Sequence, residues 1–133
     1  MARDFSTSRI AVLGAGKMGG ILVKALIDKH RIPADRVRAT VAHESRAHEL
    51  GHKLGIKVTT DNLEAVDGAD IIFVCVKPQV VQELMEQISD KVSADQLVIS
   101  VAASVHTSQI ESALGGGVPV IRAMPGRTRL CGL

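Results

Sequence analysis

The chain has 133 residues, is 46% hydrophobic and contains neither Trp nor Tyr. That is one domain, able to bury about two-thirds of the surface its unfolded form exposes, which excludes a disordered tail and a disulfide-stapled miniprotein. With 16 Lys+Arg against 14 Asp+Glu, and with Phe5 and Phe73 the only aromatic residues besides histidine, the chain has neither the net field nor the stacking platforms that nucleic acid or an anionic membrane would require.

Arg9 to Leu13 is a short apolar run ending in glycines, the pattern of a buried strand. Met18, Ile21, Leu22, Ala25 and Leu26 then repeat at helical spacing and stop near Pro33. Val37 to Ala42 reads as a second strand, Ser45 to Leu54 as a short helix and Ile56 to Thr59 as a third strand. Ile71 to Val76 is the most apolar run, too short and too β-branched for a helix, and Val80, Val81, Leu84, Met85 and Ile88 mark one helical face after it. Leu97 to Val101 and Val118 to Ile121 are two further strands, with a helix from Thr107 to Leu114 between them. Strands that are apolar throughout and alternate with helices form a parallel sheet covered on both faces. Six of them predict an α/β, doubly wound, Rossmann-type single domain.

Charge is distributed unevenly. Arg31 to Lys57 carries six Lys/Arg and three acids, with His43, His48 and His52 among them, whereas Val58 to Gln96 carries eight acids and two lysines. Cys75 and Cys131 are far apart and form neither a disulfide framework nor a CxxC pair. No apolar run approaches the roughly 18 residues of a membrane span, so a cytoplasmic protein without membrane or nucleic-acid partners is expected.

Gly14, Ala15, Gly16, Lys17, Met18 and Gly19 spell G-x-G-x-x-G where the first strand ends and the first helix begins. In such a turn the first glycine makes the bend, the second lets the backbone approach a pyrophosphate, and the third lets helix and strand pack closely. The diphosphate would lie over free amides at the positive end of the helix. Cofactor choice depends on the tip of the second strand, where an acid would favour NAD and cationic or small polar groups would admit the phosphate of NADP. There His43, Ser45 and Arg46 can cradle a phosphate, with Arg46 suited to a bidentate bond. Glu44 argues the other way if it points inward. NADP(H) is therefore expected, with NAD(H) the alternative.

His48-Glu49-Leu50-Gly51-His52 is literally H-E-x-x-H, but the third ligand of the longer metalloprotease pattern would fall at Val58. Two histidines without a third ligand make a weak zinc site, and no metal is expected. Three more loops follow strand ends: Val76-Lys77-Pro78, Ala102-Ala103-Ser104 with small side chains that let a flat nicotinamide lie close, and Arg122 to Pro125. Cys75, inside a strand, reads as packing rather than as a nucleophile, and no catalytic residue stands out.

Taken together, Ile10 to Gly19, the Ile32 to Arg36 turn, Thr60-Asp61-Asn62, Val76 to Gln79, Ser100 to Ala103, Ile110-Glu111 and Val120 to Pro125 give a chain that resembles the pyrroline-5-carboxylate reductases of proline biosynthesis. The resemblance implies that Asn62, the loop Val76, Lys77 and Pro78 and the loop Val101, Ala102 and Ala103 touch NADP(H). It also implies reduction of the C=N bond of 1-pyrroline-5-carboxylate, a small-molecule substrate, to L-proline. That family continues Met-Pro with Asn-Thr-Pro and a helical domain that forms the dimer and holds the substrate. Here Gly126 to Leu133 follow instead, so residues 1–125 are expected to be the NADP(H)-binding domain and 126–133 a divergent or truncated tail. A homo-oligomer is expected only where the helical domain is present. Two other classes fit the same residues: a non-catalytic NADP(H)-binding module, and another NADP-dependent oxidoreductase with this sheet, such as a deazaflavin-dependent reductase.

Overall fold

A computed structural model of the chain describes residues 8–29, 32–101, 105–115 and 117–123. Among the described residues six strands, β1 (Ile10–Leu13), β2 (Val37–Thr40), β3 (Lys57–Thr59), β4 (Ile71–Val74), β5 (Leu97–Ser100) and β6 (Val120–Arg122), alternate with helices α1 (Lys17–Asp28), α2 (Glu44–Leu54), α3 (Asn62–Val66), α4 (Pro78–Ile88) and α5 (Thr107–Ala113), and a 3-10 turn (Ala34–Arg36) leads into β2. They form one sheet in the order β3-β2-β1-β4-β5-β6, with every neighbouring pair parallel.

Because successive side chains of a strand point to opposite faces, these apolar strands build two cores. Ile10, Val12, Ile71, Phe73 and Ile99 pack on one face with Leu22, Val23 and Leu26 of α1 and Leu50 of α2. Ala11, Leu13, Ile72, Val74 and Val98 pack on the other with Val66 of α3, Leu84, Met85 and Ile88 of α4, and Ile110 of α5. Each large side chain buried in this way contributes roughly 1.5–3 kcal/mol. The register aligns Val12 with Phe73, Phe73 with Ile99 and Ile99 with Ile121, so one row of side chains crosses from the sheet centre to its β6 edge. Buried Gln96 links the layers: its amide donates to the carbonyls of Val66 (3.0 Å) and Ala69 (2.7 Å), and its Oε1 accepts from the Ser93 amide at 2.9 Å.

Several element ends differ from the sequence expectation. β2 stops at Thr40, two residues short of Ala42, and β4 stops at Val74 although Cys75 and Val76 are apolar. The chain must leave the ladder there to enter α4, whose first residue is Pro78 and whose ring needs the preceding residue extended. The last strand runs Val120–Arg122 because Pro119 precedes it, and Val118 is buried in the core. Helix α3 has no counterpart in the periodicity reading. It is five residues long, too short for a helical repeat, and is set by Asp61, whose side chain accepts from the amides of both Leu63 and Glu64. The expected domain end at 125 and the tail 126–133 lie outside the described residues. Among those residues no helix is long and apolar enough to cross a membrane.

Candidate dinucleotide site

With all strands parallel, every loop that follows a strand emerges at one edge of the sheet. Chain order reverses between β1 and β4, and at such a switch point the flanking loops diverge and open a crevice. The turn from β1 to α1 forms one wall. Gly14 has φ +79°, and a Cβ placed on it would collide with the Val76 side chain and come within 3.1 Å of the Val76 backbone. The turns after β1 and β4 therefore touch, and only glycine fits between them. Gly16 is the N-cap of α1, and a Cβ there would meet nothing within 4 Å, so this side of the turn is open. Gly19 is the reverse case, with Ala15 Cβ and the Gly14 carbonyl 3.2 Å from the added atom.

Lys17 and Met18 open α1, and no side chain caps the helix and no acid stands in its first turn. The leading amides of a helix lack internal partners. Uncapped, beside the open face of Gly16 and without a competing carboxylate, they suit a diphosphate. The turn is also anchored. Buried Thr40, at the tip of β2, accepts from the Gly14 amide through its hydroxyl (3.1 Å) and from the Ala15 amide through its carbonyl (2.7 Å).

The tip of β2 forms the second part of the site. His43 is the N-cap of α2 and offers no side-chain cap; His43, Ser45 and Arg46 are all exposed. The Arg46 guanidinium lies 3.5 Å from Glu49 Oε1, one turn along the helix. Glu44 Oε1 accepts a hydrogen bond from the Thr60 hydroxyl at 2.9 Å. Asn62 begins α3, and its amide donates to Gln87 Oε1 of α4 at 3.1 Å. On the far wall, half-buried Val76 leans on Gly14, exposed Lys77 caps α4, and Pro78 is its first residue. Val101 is buried, and its amide donates to the Val74 carbonyl at 3.0 Å. Ala102, Ala103 and Ser104 lie outside the described residues, as do Met124 and Pro125, and of the side chains of Lys17 and Met18 nothing is described.

His48 and His52 are exposed on α2. Gly51 between them serves packing: a Cβ there would come within 3.2 Å of the Ile56 carbonyl and 3.6 Å of Val58 Cγ2. Burial pushes the Cys75 thiol up to about 12, which keeps it neutral and non-nucleophilic at ordinary pH. Among the described residues a separate cleft of about 180 Å³, lined in part by Arg9, Asp35, Arg36 and Arg38, opens beside the starts of β1 and β2, at the edge of the sheet away from the glycine turn. The residues that sequence reading missed are Thr40 and Thr60. Thr40 stands in no motif, and Thr60, although it opens the Thr60-Asp61-Asn62 piece, carries no sign there of its partner; each acts on a residue brought close only by strand pairing.

Residues 9–104 match the family model of the NADP oxidoreductases described as coenzyme F420-dependent. The chain belongs to that family. It is 39% identical over 126 residues to a pyrroline-5-carboxylate reductase of Corynebacterium melassecola, covering 92% of this chain and 46% of that one. Among solved structures, a pyrroline-5-carboxylate reductase from Coxiella burnetii superposes with a TM-score of 0.82 at 31% identity, over 90% of this chain and 44% of that one. The Plasmodium falciparum pyrroline carboxylate reductase with NADP bound shares the fold, with a TM-score of 0.78 at 18% identity over 91% of this chain and 43% of that one. As an NADP oxidoreductase domain the chain thus bears out the Rossmann-type reading and the resemblance to pyrroline-5-carboxylate reductase. It spans less than half the length of the curated relatives it matches.

Proposed function

We propose that this chain is the cofactor-holding part of a pyrroline-5-carboxylate reductase, which reduces 1-pyrroline-5-carboxylate to L-proline with NADP(H). The observation that carries the reading is the likeness to pyrroline-5-carboxylate reductases over nearly the whole chain. In this reading the open amides of the first turn of α1, at Lys17 to Gly19, hold the diphosphate beside the unobstructed face of Gly16. His43, Ser45 and Arg46 take the 2′-phosphate, and Arg46 exchanges its weak contact with Glu49 for the stronger charge-assisted bond to a dianion. Asn62 completes the adenosine side, while the loops at Val76 to Pro78 and at Val101 to Ala103 flank the nicotinamide. NADPH, when bound, supplies the hydride for the C=N carbon. The chain's own part is to fix the ring and exclude water. The groups that hold the pyrroline carboxylate belong to the portion of the relatives that this chain does not span, and so does the dimer contact.

Titration with NADPH tests the reading directly, because a protein without Trp or Tyr leaves the fluorescence of the cofactor almost without background. Saturable one-to-one binding, tighter for NADPH than for NADH, is expected. With pyrroline-5-carboxylate added, the 133-residue chain alone should stay far below the roughly 1–1,000 turnovers per second of ordinary enzymes. No NADPH binding would overturn the cofactor assignment, and ordinary turnover would overturn the assignment as a part. The description of the matching family favours one second reading, a deazaflavin-coenzyme reductase. Appearance of the oxidised coenzyme's visible absorbance when the reduced deazaflavin is mixed with the NADP+-loaded chain, its hydride passing to NADP+, would select it.

A further inference from the structure

Glu44 is the single acid in the stretch 41–46 that follows β2, and it sits badly with the cofactor just proposed. A carboxylate free to turn inward would repel a 2′-phosphate and would accept hydrogen bonds from the bare ribose hydroxyls of NAD(H). The carboxylate is not free. Thr60 donates its hydroxyl to Glu44 Oε1 at 2.9 Å, and Thr60 follows β3, the edge strand on the far side of β2 from β1. The bond therefore draws Glu44 toward the sheet edge and away from the crevice between β1 and β4.

The donor is firmly placed. Immediately before it, the Thr59 carbonyl accepts from the Val41 amide at 3.0 Å and the Thr59 hydroxyl accepts from the Asp61 amide at 3.2 Å. Immediately after it, the Asp61 carboxylate caps α3. Half-buried Thr60 is thus held between two fastened neighbours, and its hydroxyl needs little ordering to reach Glu44.

We propose that Thr60 is a specificity-determining positioning residue: its hydroxyl holds Glu44 off the ribose so that His43, Ser45 and Arg46 present a phosphate site, and its loss turns the loop toward NAD(H). This rests on the reading that the chain holds NADP(H) at the tip of β2. It adds to that reading a residue outside the glycine turn and outside the phosphate cradle, acting through a carboxylate.

The test compares dissociation constants for NADPH and NADH, read from cofactor fluorescence, in the complete 133-residue chain and in Thr60→Val, Thr60→Ser, Glu44→Gln and the Glu44→Gln/Thr60→Val double variant. Thr60→Val keeps the shape and removes the hydroxyl. It should lower the preference for NADPH by roughly three- to tenfold, the worth of one ordinary hydrogen bond, with NADPH weakened and NADH tightened. Thr60→Ser should keep the wild-type ratio. In the Glu44→Gln background Thr60→Val should have no further effect on the ratio, since the charge to be restrained is gone. A wild-type ratio in Thr60→Val, or an equal loss for both nucleotides, would overturn the proposal while leaving the cofactor reading standing. A wild-type chain that binds neither nucleotide, or both equally, would overturn the phosphate site itself and this inference with it, and that result is visible before any variant is made.

Discussion

Two alanine substitutions, two residues apart in the glycine turn, separate what the turn does for the fold from what it does for the ligand. At Gly14 an added Cβ runs into the Val76 side chain and lies 3.1 Å from its backbone, and φ is +79°. The left-handed conformation costs an L-residue roughly 1–2 kcal/mol, and overpacking a tight contact costs roughly 1–3 kcal/mol. Gly14→Ala should therefore destabilise the chain by about 2–5 kcal/mol. For a domain of this size each kcal/mol moves Tm by about 3–5 °C, so a drop of roughly 6–25 °C is expected. At Gly16 the added atom meets nothing within 4 Å, and only the weaker N-cap counts, about 0.5–1 kcal/mol, or a few degrees. Gly16→Ala should nevertheless weaken NADPH at least tenfold, because the methyl group occupies the open space through which the diphosphate reaches the α1 amides. Thermal unfolding by circular dichroism and NADPH titration give the two readouts. Equal losses of stability at the two positions, or Gly16→Ala binding NADPH like wild type, would refute the reasoning.

Three further outcomes follow from the same structure. Arg46→Glu should weaken NADPH much more than NADH in equilibrium titration, since it replaces the phosphate partner with a like charge; equal losses would remove Arg46 from the site. In a Cys131→Ser background the Cys75 thiol should resist thiol reagents in the folded chain at neutral pH and react fully once unfolded. Burial raises its pKa from the ordinary thiol value of 9.0 to about 12, so the folded state holds the proton more tightly. The stabilising contribution is complete below pH 9 and is lost as pH rises toward about 12, and denaturant midpoints should fall less steeply over that window in Cys75→Ala. Asp61→Ala removes the acceptor of the Leu63 and Glu64 amides and should cost about 1 kcal/mol, a Tm loss of roughly 3–5 °C, checked by calorimetry.

What could be read from residue order alone was what is local. The Arg9 to Leu13 run, the glycine spacing and the helical repeat that follows are contiguous, so β1, its turn and α1 announce themselves. The same holds for Pro78 at the start of α4. The interruption after Val74 was hidden because Cys75 and Val76 are as apolar as the strand before them, and it is the coming turn rather than hydrophobicity that ends the ladder. Helix α3 was missed for want of length, although Asp61 and Glu64 at capping-box spacing were the available signal. Thr40 and Thr60 were out of reach for another reason. Thr40 bonds Gly14, 26 residues away, and Thr60 bonds Glu44, 16 residues away; both contacts exist only because β2 lies between β1 and β3. A histidine pair within H-E-x-x-H pattern and a carboxylate at a strand tip could each be weighed in the sequence, but where Glu44 is held is a property of the sheet.

The central claim is that NADP(H) lies over the start of α1, in the crevice between β1 and β4. An amide-resolved NMR titration of the isotope-labelled chain with NADPH examines it most directly. The largest shifts are expected at Gly14, Ala15, Gly16 and Gly19, with a second group at His43 to Arg46, and little change at Arg9, Arg36 and Arg38 near the opposite edge of the sheet. Shifts concentrated at that opposite edge, or none at the glycine turn under saturating NADPH, would contradict the account.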